Sequence, residues 1–149
     1  MIKTKVERHG FLKWYLTVLI DNYANFSGRA RRQEYWIFIL FQFVIFISLG
    51  FMSAVTEDLF ETQLFGIVVG IYLLGTLIPW LAVNIRRLHD TGKSGGYFFV
   101  NLIPLIGRIW YLILMCTDGN ANSNQYGPNP KVNNDFDEID EIGKPLSNY

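Results

Sequence analysis

The feature that most restricts the fold is a pair of long runs without one charged residue: residues 35–55, 21 in all, and residues 64–85, 22 in all. At ~1.5 Å rise per residue each makes a helix of about 31–33 Å, the thickness of a bilayer's hydrocarbon core. Tyr35 and Trp36 open the first run, where aromatic rings sit well between headgroups and acyl chains. Its clearly polar members are Gln42, Ser48 and Ser53. In the second run Gly66 and Gly70 form a small-xxx-small pair that lets another helix approach closely, and Pro79 predicts a kink. A third run, residues 97–116, is less regular and holds Asn101, Pro104, Gly107 and, near its middle, Arg108. Half of the residues are hydrophobic, a fraction soluble domains also reach, so the segregation of charge away from these runs is what demands a membrane.

The flanks fill in the plan. Residues 1–20 have the basic-then-apolar layout of a signal peptide, but Lys13 interrupts the apolar part and Asp21-Asn22-Tyr23 is a poor approach to a cleavage site. Residues 11–23 read instead as an amphipathic helix, too short to span, with Lys13, Thr17 and Asp21 on one face and Trp14 and Tyr15 suited to the headgroup level. Residues 1–34 carry seven Lys/Arg, residues 86–96 carry three, and residues 56–63 carry none but have Glu57, Asp58 and Glu61. Basic short loops stay in the cytoplasm, which puts the amino end inside and the acidic loop outside. Three full spans then leave the carboxyl end outside. A re-entrant turn at residues 104–108 would instead return it to the cytoplasm, but 20 apolar-rich residues suffice to cross once and not twice. Residues 117–149, rich in Asn, Gly, Pro and acid, are expected to form a mobile tail, its last part (131–149) acidic. The expected fold is thus an all-α membrane protein of about three transmembrane helices, with an interfacial amino-terminal helix and a disordered carboxyl tail.

Other features exclude more than they suggest. Basic and acidic residues balance at 13 each, so no global charge recruits nucleic acid. The single cysteine, Cys116, and the two histidines, His9 and His89, offer no disulfide and no histidine-rich metal site. Gly92-Lys93-Ser94 has the ending of a phosphate loop, yet Arg87 occupies the required glycine position and a membrane helix precedes it. Asp118, Asn120, Asn122 and Asn124 mimic calcium-loop spacing without its sixth-position glycine or its terminal glutamate. His89 and Asp90, adjacent on a helix, point about 100° apart and make a poor catalytic pair. No catalytic residue, metal or cofactor is expected.

Arg108 needs a reason, because a central arginine costs about 2.5–3.5 kcal/mol on insertion scales. Asn101 lies seven residues earlier on the same helical face, and Gln42 or Tyr72 are candidate partners. The bland reading is that Pro104 and Gly107 shift the segment until Arg108 snorkels to an interface.

Three blocks carry a resemblance: residues 26–36 with Arg29, Arg31, Arg32 and Glu34; residues 86–92 with Arg86, Arg87, His89 and Asp90; and residues 124–130. They resemble the signature blocks of the bacterial inner-membrane family called domain of unknown function 805, over roughly residues 14–130. The resemblance implies a small polytopic protein of the bacterial cytoplasmic membrane, supplies no catalytic residues, and leaves residues 131–149 as an extension. The first two blocks flank the first two spans on one side. They are expected to gather as one basic cluster at the inner headgroup level, with Glu34 and Asp90 as counter-charges, and such a cluster favours anionic lipid.

Two functions remain in view. The first is a non-enzymatic protein that binds an anionic lipid, a second copy or another membrane protein through this cluster and the glycine-lined second span. The rival is a transporter or channel subunit using Arg108, Asn101 and Gln42 as a polar path.

Overall fold

The computed structural model describes residues 10–60 and 64–131, so the acidic extension expected over residues 131–149 lies, beyond Lys131 itself, outside the described residues. The chain is helical, and among the described residues the sole β-pairing is an isolated bridge between Asn124 and Gly127. α1 (Phe11–Leu16) runs directly into a π-helical turn, Thr17–Asp21. α2 spans Arg32–Phe60 and α3 spans Leu64–Asp90. A 3₁₀ helix follows over Gly95–Leu102, and α4 covers Ile106–Cys116.

α2 and α3 contain the two uncharged runs and have the length and hydropathy to cross a bilayer. They are longer than those runs. Their 29 and 27 residues give about 43 and 40 Å, so roughly 10 Å of each exceeds the hydrocarbon. Residues 56–60, expected as loop, are the last turn of α2. Gly66 serves the pairing of the two helices, with Ser53 Oγ 3.8 Å from where its Cβ would be, whereas Gly70 faces open space.

Pro79 sits fully buried inside α3. Proline has no N–H, so the carbonyl four residues back, at Gly75, loses its helical donor. Tyr23, just beyond the π turn, supplies a replacement: its hydroxyl donates to Gly75 O at 2.7 Å. A membrane tolerates such a break only where a neighbour satisfies the freed group. The same amino-terminal segment inserts Tyr15 between the long helices. Its ring stacks on Phe38 and Phe41 at 5.6 and 5.0 Å, and its hydroxyl meets Gln42 Oε1 and Tyr72 Oη at 3.4 and 3.2 Å.

The third apolar run does not form the single continuous helix that was expected. It is a bent hairpin rather than one helix. The 3₁₀ arm and α4 are each about 16 Å long, half a hydrocarbon thickness. Between them Leu105 takes a positive φ of 62°. The arms touch so closely at Gly107 that the carbonyl of Val100 occupies the place of a Cβ. Phe98 packs edge-on against Trp80 and Tyr111, and Tyr111 donates to Asn84 Oδ1 at 2.6 Å, which fixes the hairpin to α3. Both ends of the hairpin lie at one end of the molecule. Its start follows the turn closed by Lys93 N donating to Leu88 O. Its finish, at Met115–Thr117, accepts hydrogen bonds from Arg87 and Arg32.

Residues 117–131 are a second correction. Expected to be mobile, they fold back over the ends of α2 and α3. Too little apolar surface was the reason to expect disorder; guanidinium donors that claim main-chain carbonyls are the reason for order.

Candidate functional site

At the end where α2 begins and α3 finishes, the two expected arginine blocks do come together. The polypeptide arranges this with few devices. Ala30 N donates to Arg86 O at 3.0 Å, laying the segment before α2 along the last turn of α3. α3 ends at Asp90 and is capped at Gly92, whose φ of 75° suits glycine. Gly92 N donates to His89 O and Lys93 N to Leu88 O, the paired bonds of a Schellman ending. That is the structural use of the glycine that resembles a phosphate loop.

Asp90 is the hub. Its Oδ1 accepts from Arg29 Nε at 2.9 Å and its Oδ2 from Arg87 Nη1, with all three side chains almost fully buried. The five N–H donors of Arg29 are all engaged: Nε on Asp90, Nη1 on the carbonyls of Asn122 and Gly127, Nη2 on those of Asn120 and Asp90. Arg87 reaches the carbonyls of Met115 and Thr117. Arg31 donates to Pro130 O and places its guanidinium 5.9 Å from the centre of the Trp14 ring. His89 points away from its neighbour Asp90, as helical geometry requires. Its Nδ1 donates to Gly28 O at 3.2 Å, and its ring stacks on Tyr126 with centroids 3.7 Å apart. Arg86 pairs with Glu34 at 2.7 Å, both buried, while its Nε and Nη2 meet no acceptor among the described residues.

The expected headgroup-level cluster is therefore turned inward. Arg29, Arg86 and Arg87 spend their charge on Glu34, Asp90 and main-chain carbonyls, not on the surface. Arg32 differs. Its side chain is half exposed, and it holds Asp118 loosely at 3.5 Å and donates to Cys116 O. Asp118 also accepts from Lys131 at 3.3 Å; that hydrogen bond, then the Arg32 charge, holds its carboxyl below the usual range. Arg32 borders an open groove of about 390 Å³, walled by Phe11 and Trp14 of α1 and by Gln33, Trp36 and Ile37 of α2.

The three residues of the expected polar path are not brought together within the chain. Gln42 accepts from Tyr72 at 2.8 Å, Asn101 donates to Phe98 O within its own turn, and Arg108 is exposed with no hydrogen bond or ion pair among the described residues. Sequence reasoning missed Asn84, which is buried and joins α3 to α4 by accepting from Tyr111 while donating to Trp80 O. An amide inside an otherwise apolar run was the available signal. It also missed the carbonyls of residues 120–130, which no side-chain pattern announces.

Comparison with known proteins finds a family and several relatives for this chain. The family described as Protein of unknown function (DUF805) matches residues 23–128, from the Tyr23 that caps Gly75 almost to the end of the covering segment. The chain is 42% identical over 120 residues to inner membrane protein YhaI of Escherichia coli K12, covering 80% of this chain and 97% of YhaI. It is 41% identical over 128 residues to inner membrane protein YhaH of the same organism, covering 81% and 98%. The uncharacterized protein YiiR, again from that strain, is 32% identical over 91 residues, covering 60% of this chain and 58% of YiiR. No solved structure matches.

Proposed function

The chain belongs to the DUF805 family of inner-membrane proteins, and from that premise we propose a non-catalytic membrane component that binds an anionic lipid headgroup in the Arg32 groove. The carrying observation is the pairing of one half-exposed arginine with an aromatic trough. Arg32 offers donors to a phosphate, while Phe11, Trp36 and Ile37 give an acyl chain apolar walls. α2 and α3 cross the bilayer, the hairpin enters and leaves on the arginine side, and that side faces the cytoplasm. Support for the orientation is the concentration there of Arg29, Arg31, Arg32, Arg86, Arg87 and Lys93. The groove then lies where inner-leaflet headgroups are, and the ionic core beneath it keeps α1, α2 and the covering segment in register.

The transport reading finds less support in one chain, because Gln42, Asn101 and Arg108 are engaged or exposed in separate places.

The test is lipid retention. Protein purified from mixed phosphatidylglycerol and phosphatidylcholine membranes should retain phosphatidylglycerol by native mass spectrometry. Arg32→Gln should reduce that preference about fivefold, as one basic residue near an anionic surface is worth about 1 kcal/mol. Asp118→Asn should raise it, since the carboxylate competes with phosphate for Arg32. Equal retention of the two lipids, or a preference untouched by Arg32→Gln, would overturn the reading.

A further inference from the structure

Among the described charged side chains, all but two have a partner. The exceptions are Asp21 and Arg108, which make no hydrogen bond, ion pair or ring contact, and they are opposite in sign. Both are exposed. Both also lie along the uncharged part of α3. Tyr23, two residues past Asp21, is bonded to Gly75, and Tyr111, three residues past Arg108, is bonded to Asn84. Gly75 and Asn84 fall within residues 64–85, the stretch that fills the hydrocarbon. A lone charge at that level is expensive. Arg108 has little recourse to the inner headgroups, because helical side chains lean toward their helix's amino end, here the tip of the hairpin.

We propose that a second copy of this chain supplies the missing partner, with Asp21 of one copy pairing with Arg108 of the other. Charge complementarity selects this occupant. A lipid phosphate answers Arg108 and leaves Asp21 unpaired, whereas a second copy answers both with one contact. Aspartate and arginine make a strong, geometrically defined pair out of water. A two-fold axis along the membrane normal makes the contact twice and closes the assembly as a dimer. The elements that carry the two charges, the π turn and α4, both pack on α3 and leave those charges exposed. The proposal goes beyond lipid binding at Arg32 and stands without it.

The test uses the full chain with Cys116→Ala as background, reconstituted in liposomes. Chains carrying Asp21→Cys mixed with chains carrying Arg108→Cys should form a disulfide-linked pair in larger yield than either variant forms alone. Separately, Asp21→Arg or Arg108→Asp should each weaken self-association about tenfold or more, and the double reversal should restore it. No mixed cross-link above the single-variant yields, or a double variant as weak as the singles, would overturn the proposal. So would loss of retained anionic lipid on Arg108→Gln with self-association unchanged, which would assign that arginine to a lipid phosphate.

Discussion

Tyr23 is a small example of how this chain tolerates a residue that its longest helices should reject. Pro79 removes one donor from α3 and Tyr23 returns one, to the same carbonyl. Tyr23→Phe should therefore destabilise the protein by about 1–3 kcal/mol, the cost of a carbonyl left unsatisfied at a lipid-facing level away from water, measured by denaturant unfolding in micelles. In a Pro79→Ala background the helix regains its own N–H, and the same change should cost much less. Equal costs in both backgrounds would show that the hydroxyl does not serve the proline. Asp90 makes the opposite case, one carboxylate answering two buried arginines. Asp90→Asn should cost about 3–5 kcal/mol, because Arg29 and Arg87 would be left facing each other without a counter-charge. The exposed Arg32–Asp118 contact should contribute under about 1 kcal/mol, so Arg32→Gln provides the control in the same unfolding experiment.

The hairpin is the element that sequence reasoning read least well. Its markers were visible: Pro104, Gly107 and Arg108 interrupt the run within five residues. Length argued against them, since 20 residues cross a bilayer once and cannot cross it twice. The re-entrant alternative at residues 104–108 was set aside on that arithmetic, although two arms of about 16 Å are enough for a half-depth element. The long helices were legible because absence of charge over about 20 residues has few other physical uses. The ends were less so, as α2 and α3 continue past their apolar runs to carry the ionic core. The close approach of the arms can be tested at Gly107. Gly107→Ala has to displace the Val100 carbonyl and should destabilise by about 1–3 kcal/mol, the usual penalty of overpacking. Gly70→Ala, which meets open space, should stay within about 0.5 kcal/mol on the same assay.

Over the whole molecule, one end concentrates nearly everything beyond apolar packing. The two arginine blocks were legible as a cluster, and Glu34 and Asp90 as its counter-charges, because both blocks flank the same ends of two helices. Their inward direction was not legible. It depends on residues 117–131, whose Asn, Gly and Pro composition signals disorder and whose function is carried by main-chain carbonyls. Arg29 alone takes three of these. The central claim is that the chain crosses twice and keeps the hairpin and the covering segment on the cytoplasmic face. Membrane-impermeant thiol labelling tests it most directly, with single cysteines placed at Asp58, Lys93 and Ser123 in a Cys116→Ala background. Intact inner-membrane preparations should be labelled at position 58 from the outer face, and at positions 93 and 123 only from the cytoplasmic face. Labelling of position 123 from the outer face would contradict the account, because the segment that seals the arginine core would then lie across the membrane from it.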